Sequence, residues 1–201
     1  MPDLSREAAL GGVVCGIDEV GRGPLAGPVI AAAVILDPTR LPARLLERLD
    51  DSKALSKRLR EELAELVPET ARVGFGECSV DEIDRLNILQ ATLQAMRRAH
   101  DSLGVVCGHA LVDGNRPPRL PCPVTCVVKG DSLSLSIAAA SVVAKVRRDA
   151  LMAELALAHP GYGWERNAGY GTPEHLEALK RLGPTPHHRR SFAPVAQYMP
   201  P

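Results

Sequence analysis

The sequence predicts an α/β fold, a mixed five-stranded sheet with helices on its faces, and three observations carry that reading. Residues 13–17 and 27–36 are apolar runs joined by a short turn rich in glycine and proline, the pattern of an antiparallel hairpin. Three further strand-like runs, at 71–78, 109–112 and 124–128, are interleaved with segments of helical periodicity. A run of mostly small residues then opens a long helix at 133–158, and small side chains let a helix lie close against a sheet.

Taken in order, the first run is β-branched around Cys15 and Gly16 and delivers Asp18 and Glu19 to its end. The turn that follows is built on Gly21, Gly23 and Pro24, with Arg22 at its centre. The second run is nearly all apolar, as expected of a strand buried on both faces, and Asp37-Pro38 ends it. Residues 41–55 mix charge with apolar residues around D-D-S-K at 50–53 and read as loop with one helical turn. Ser56 caps a helix with Leu59, Leu63 and Leu66 on one face, closed by Pro68. Residues 71–78 alternate in part and form the third strand. Ser79-x-x-Glu82 is a capping box, and its helix carries Ile83, Leu86, Leu89 or Gln90, Leu93 and Met96 along one face until Gly104 stops it past Leu103. The fourth strand brings Asp113 to Gly114-Asn115, and a proline-rich loop, 117–123, leads to the fifth. Lys129-Gly130-Asp131-Ser132 precedes the long helix, which Asp131 is expected to begin. His159-Pro160-Gly161 breaks it. The remainder is loop-rich up to Thr172 and Pro173, which open a last helix over 173–181 ahead of a basic tail.

Composition narrows the possibilities. At 201 residues, with 45% hydrophobic and 24% charged, the chain is expected to be one soluble globular domain. Aromatics are only 3%, so the core must be aliphatic. Lys plus Arg and Asp plus Glu are equal at 24 each, so any nucleic acid must be gripped by local basic patches rather than by global charge. The five cysteines form no C-x-x-C pair, and Cys15, Cys78 and Cys126 fall in apolar runs. Neither a zinc site nor a disulfide framework is expected, and a reducing, cytoplasmic compartment fits. The N-terminal stretch has no apolar signal core, and no apolar run is long enough to span a membrane.

Asp18, Glu19, Asp113 and Asp131 each stand where an element ends. If the first and fourth strands are neighbours, Asp18 and Asp113 meet. Carboxylates gathered at one rim repel, and hard divalent cations, Mg²⁺ or Mn²⁺ rather than zinc, relieve that repulsion. Two such ions about 3.5–4 Å apart hold the attacking and leaving oxygens of a phosphodiester displacement. Singly, each acid has a plainer reading: Asp18 and Asp113 as turn formers, Asp131 as a helix cap. Adjacent strand residues also face opposite ways, so Asp18 and Glu19 share a site only if the strand bends.

Eight stretches in order then resemble the bacterial ribonuclease HII branch of the type 2 ribonuclease H family. They are G-I-D-E-V-G-R-G-P-L-A-G-P-V at 16–29, D-S-K-A-L-S at 51–56, N-I-L-Q-A-T-L-Q-A-M-R-R-A at 87–99, V-D-G-N at 112–115, K-G-D at 129–131, S-I-A-A-A-S-V-V-A-K-V-R-R-D at 136–149, G-Y-G-T-P-E-H at 169–175 and H-R-R-S-F-A-P-V at 188–195. The resemblance implies a ribonuclease H-like sheet with a small helical C-terminal extension, divided here as a core of 1–158 and an extension of 159–201. It implies a monomeric endoribonuclease, dependent on Mn²⁺ or Mg²⁺, that cuts the RNA of RNA–DNA hybrids. It would also nick duplex DNA 5′ to an embedded ribonucleotide, leaving a 3′-hydroxyl and a 5′-phosphate, and so remove misincorporated ribonucleotides and primers. Asp18, Glu19, Asp113 and Asp131 would bind the metals, Gly21, Arg22 and Gly23 would sense the 2′-hydroxyl, and Tyr170 would pack on the neighbouring deoxyribose.

Lys53, in a polar loop, is a candidate phosphate contact, though a solvated lysine reads equally well. Tyr170 reads equally as a core or surface ring. Lys145, Arg147 and Arg148 are expected to face solvent or form ion pairs, and His187–Arg190 to be structural. The rivals are a transposase-like nuclease, which needs extra DNA-binding domains, a ribonuclease HIII, which carries a further N-terminal domain, and a silent hybrid-binding module, which would lack an acid.

Overall fold

The computed structural model describes residues 1–199. The chain runs α1 (Ser5–Leu10), β1 (Val14–Val20), β2 (Val29–Leu36), α2 (Ala43–Arg48), α3 (Lys57–Thr70), β3 (Ala71–Cys78), α4 (Val80–Leu86), α5 (Ile88–Asp101), β4 (His109–Asp113), β5 (Val124–Val127), a 3₁₀ turn (Gly130–Ser132), α6 (Leu135–Ala158), α7 (Trp164–Asn167), α8 (Pro173–Leu182) and α9 (Ala193–Ala196). The sheet has the order β3-β2-β1-β4-β5. β1 pairs antiparallel with β2, and β2 with β3. β4 joins β1 in parallel, and β5 joins β4 in parallel. The hairpin therefore occupies the middle of the sheet, and β1 is the strand against which the second half of the chain docks.

Period-2 alternation splits the sheet residues between two cores. Cys15, Ile17, Ala31, Ala33, Ala110 and Val112 pack on α5 through Ala95, Met96 and Ala99. Ala32 and Val34 face the other way, onto Leu63 and Val67 of α3 and Ala139 and Val142 of α6. Gly16 makes the second contact possible. A Cβ there would stand 2.3 Å from the Ser136 carbonyl carbon, so only glycine lets α6 cross β1 this closely. A third core joins the C-terminal extension to the hairpin loop: Leu25 and Ala26 pack with Met152, Trp164, Leu179 and Val195.

Four local expectations are corrected. β1 extends to Val20, so the acids lie within the strand rather than beyond its end. The helix expected from the Ser79 capping box to Leu103 is two helices, broken at Asn87 with φ 69°. Asparagine tolerates that left-handed conformation, and its side chain caps α5 by accepting the Gln90 N–H at 3.1 Å. Pro68 does not close α3 but sits inside its last turn, where few hydrogen bonds remain to be lost, and Ala71 N–H still reaches Val67 O. Asp131 does not begin the long helix. It lies in the preceding 3₁₀ turn, and Ser134 is the cap, accepting from Ile137 N–H.

Candidate active site

The register of the two central parallel strands builds the site. Ile17 pairs with Val112, so Asp18 and Asp113 are the next residues on neighbouring strands and stand level on one face. Asp18 is 6% exposed, and its carboxylate accepts the Glu19 N–H at 2.7 Å. Burial pushes its pKa well above the usual carboxylate range, and the charges of Glu19 and Asp113 push it further. The Glu19 N–H, then Ser141 of α6, pull the other way. Glu19 faces the α5 side, in a cleft it shares with Asp113 and Arg116. Burial raises its pKa too. Arg22 opposes that rise and Asp113 adds to it.

Asp113 Oδ1 accepts the Gly130 N–H at 2.6 Å, tying the end of β4 to the turn that carries Asp131. Asp131 is 9% exposed and its pKa is also raised, first by burial, then by Asp51 and Asp113. The charge of Asp113 thus acts on all three of the other acids, although the strand stays regular through Val20. Asp18 and Glu19 reach one site from opposite faces because the site lies at the end of the strands. Among the described residues no three of these carboxylates place an oxygen each within 4.8 Å of one another, the spacing of like charges that repel.

Lys53 belongs to this cluster. Partial burial works against its charge, but Asp51, Asp18 and Asp131 outweigh that and raise its pKa. Asp51 is the residue that sequence reasoning missed at the site. Its signal was the D-D-S-K turn, in which Asp51 also accepts the Lys53 N–H at 2.9 Å.

The hairpin loop borders the acids. Arg22 Nη1 lies 3.4 Å from Glu19 Oε1, with half of its side chain exposed. Gly21 has φ 92°, and a Cβ there would stand 2.2 Å from Arg148 Nε. A Cβ on Gly23 would stand 3.4 Å from the Tyr170 ring, so that ring, 43% exposed, lies directly against the loop.

Two buried cations hold this loop in shape. Arg148, fully buried, donates to Pro28 O, Ala168 O and Ala26 O at 2.8–3.0 Å. The expectation that it faces solvent or an ion pair is therefore wrong: its guanidinium replaces water for main-chain carbonyls that have no strand partner. Its neighbours do as expected in part, Lys145 pairing with Asp149 at 2.5 Å while Arg147 stacks 4.5 Å from the centre of the Phe75 ring. Arg189, also fully buried, donates to the carbonyls of Gly21, Arg22 and Gly27. Burial lowers the pKa of Arg148 to about 10 and that of Arg189 to about 9, and both remain charged at neutral pH.

Behind Tyr170 lies a buried imidazole chain. His188 Nδ1 accepts the Thr185 N–H at 2.9 Å, so its Nε2 is the donor to His175 Nε2 at 3.0 Å. His175 Nε2 also accepts from Trp164 Nε1, and its Nδ1 donates to the Tyr170 carbonyl at 2.9 Å.

The donor set is all oxygen. A buried carboxylate, Asp18, faces two like charges, and a hard divalent cation would offset all of them, so the residues fit such an ion.

Comparison with known proteins gives a consistent picture. The family model described as Ribonuclease HII matches residues 15–195. A protein named Ribonuclease HII from Paramagnetospirillum magneticum is 81% identical over 199 residues, covering 99% of both chains. Another of that name, from Rhodospirillum rubrum, is 67% identical over 199 residues, covering 98% of this chain and 91% of its own. The crystal structure of ribonuclease H2 from Pyrococcus horikoshii OT3 superposes with a TM-score of 0.77 at 26% identity, covering 93% of this chain and 97% of that one.

Proposed function

Because the chain belongs to the ribonuclease HII family, we propose that Asp18, Glu19, Asp113 and Asp131 are its metal-binding catalytic acids. The protein is an endoribonuclease that acts on RNA–DNA hybrids, and its chemistry depends on a divalent metal. The observation that carries the site assignment is the level pairing of Asp18 and Asp113 on adjacent parallel strands, with Asp131 tied to Asp113 through Gly130. The finer reading is of two ions, Mg²⁺ or Mn²⁺. When bound, such ions render water nucleophilic and neutralise charge on the departing 3′-oxygen.

The remaining work falls to this chain's own groups. Gly21 and Gly23 carry no Cβ, so the loop backbone approaches a 2′-hydroxyl closely enough to hydrogen-bond it, and that group alone separates RNA from DNA. Arg22, exposed at the loop tip, meets the adjoining phosphate. Tyr170, seated against Gly23, fills the space beside the next sugar and favours one without a 2′-hydroxyl. Lys53 contacts a phosphate while its ammonium offsets Asp18 and Asp131. Scission 5′ to the ribonucleotide leaves a 3′-hydroxyl and a 5′-phosphate. The core of 1–158 supplies the acids, and the segment 159–201 fixes the loop through Arg189. Nothing in the site favours a silent hybrid-binding module, since all four acids are present. Among the described residues no helix is long and apolar enough to cross a membrane, and a monomer working in the cytoplasm fits this reading.

The test is a nicking assay with Mg²⁺ or Mn²⁺ on a DNA duplex holding one ribonucleotide and on an all-DNA duplex. Cleavage of the first alone is the expected result. Equal cutting of both would overturn the role given to Gly21, Arg22 and Gly23.

A further inference from the structure

The opposite end of β1 carries a second cluster that the nuclease chemistry does not use. Cys15, His100 and Cys107 each offer a ligand atom, and these atoms lie within 4.8 Å of one another, the one such group of three among the described residues. They come from the start of β1, the last turn of α5 and the loop before β4. All three are buried, at 0%, 4% and 4% exposure. A fourth donor, Cys122 of the proline-rich loop before β5, places its sulfur 3.7 Å from His100 Nε2.

Two independent observations make this more than a packing of small hydrophobes. His100 Nδ1 is buried with no hydrogen-bond partner, a state it shares only with Glu7 Oε2 among the described residues. Asp101 Oδ1 lies 3.6 Å from that nitrogen, just beyond hydrogen-bond reach, where it would orient the ring if Nε2 became a ligand. In addition, the spacing is close to that of a known geometry. Tetrahedral zinc holds thiolates at about 2.3 Å, which puts neighbouring ligand atoms roughly 3.8 Å apart. The three atoms within 4.8 Å need up to about an ångström of contraction to reach it, and Cys122, outside that set, must close further.

We propose that Cys15, His100, Cys107 and Cys122 form a structural Zn²⁺ site, a Cys₃His set that pins the proline-rich loop to the sheet. Three thiols and an imidazole are soft donors that select zinc over the Mg²⁺ or Mn²⁺ suited to the acids, so the two ends of β1 do not compete for one metal. The site stands about 10 Å along the strand from Asp18, the reach of three extended residues. The partial exposure of Cys122 gives the ion a way in. The absence of C-x-x-C spacing hides the site from the sequence, because its ligands converge only through the fold.

The test uses the full-length protein with Co²⁺ as a spectroscopic stand-in, in excess Mg²⁺ to occupy the acids. One equivalent of cobalt showing a thiolate-to-metal charge-transfer band and intense tetrahedral bands, displaced by one equivalent of Zn²⁺, is the expected result. Zn²⁺ should also raise the thermal transition. Cys107→Ser and Cys122→Ser should lose both the charge-transfer band and that thermal gain, while Cys126→Ser keeps both. Ribonucleotide-nicking activity shows that each variant has folded. A wild-type spectrum without a charge-transfer band overturns the proposal, and so does a band indifferent to Cys107→Ser and Cys122→Ser. Neither result bears on the nuclease assignment.

Discussion

Arg189 donates its guanidinium to the main-chain carbonyl of Arg22 at 2.9 Å, and the same side chain reaches Gly27 O at 2.9 and 3.0 Å. The segment after the last long helix thereby dictates the shape of a loop near the start of the chain. Arg189→Met should leave several buried carbonyls unpaired, each costing about 1–3 kcal/mol. Urea unfolding should show a loss of at least about 2 kcal/mol. Nicking should fall more than the folded fraction does. Arg189→Lys should recover only part, since a point charge does not span the same carbonyls. An unchanged midpoint with full activity would contradict the clamp.

Asp18 carries a carboxyl whose pKa is raised by burial and by Glu19 and Asp113. A raised folded-state pKa gives stability that is present below the unfolded value, near 3.8, and lost as pH rises through the folded one. In chelator, Asp18→Asn should therefore match the wild type at low pH and exceed it at neutral pH. Between the unfolded and folded values the gap should widen by up to about 1.4 kcal/mol for each pH step of one. Calorimetry across that range checks the sign, and the same variant should not cleave. A stability deficit for Asp18→Asn at neutral pH would speak against the repulsive cluster.

His188 has the opposite sign. Burial, then His175, lowers its pKa to about 3 from 6.5. The stability tied to its neutral form is complete above 6.5 and declines as pH falls toward 3. His188→Gln, which gains no proton in that window, should show a shallower decline between these values, the slopes differing by up to about 1.4 kcal/mol per pH unit. Parallel slopes in urea titrations would refute the neutral imidazole chain behind Tyr170.

Tyr170 is tested by substrate comparison. With the ring gone, nothing at Gly23 fills the space beside the sugar that follows the ribonucleotide. Tyr170→Ala should slow nicking at a single embedded ribonucleotide by about tenfold or more, the scale of 1.4 kcal/mol, and slow cleavage of a long hybrid less. Equal loss on both substrates would remove the junction role.

The sequence by itself determined most of the elements and nominated the four acids. Strand alternation, the Ser79 capping box and the small-residue face of the long helix are local patterns, and local patterns survive without coordinates. It also placed Asp18, Asp113 and Asp131 near element boundaries, which made their meeting arguable once the first and fourth strands were paired. Tertiary structure alone decided the rest. Asn87 divides one expected helix in two through a backbone conformation that periodicity does not register. Arg148 looks like a surface cation in the sequence, yet it is buried because Ala26, Pro28 and Ala168, up to 122 positions away, offer it their carbonyls, as Gly21, Arg22 and Gly27 do for Arg189. Cys15, His100, Cys107 and Cys122 have no motif spacing, and only the packing of α5 against β1 sets them side by side. The physical reason is common to these cases: whether a polar group is buried depends on partners supplied from elsewhere in the chain, and sequence order does not encode that distance.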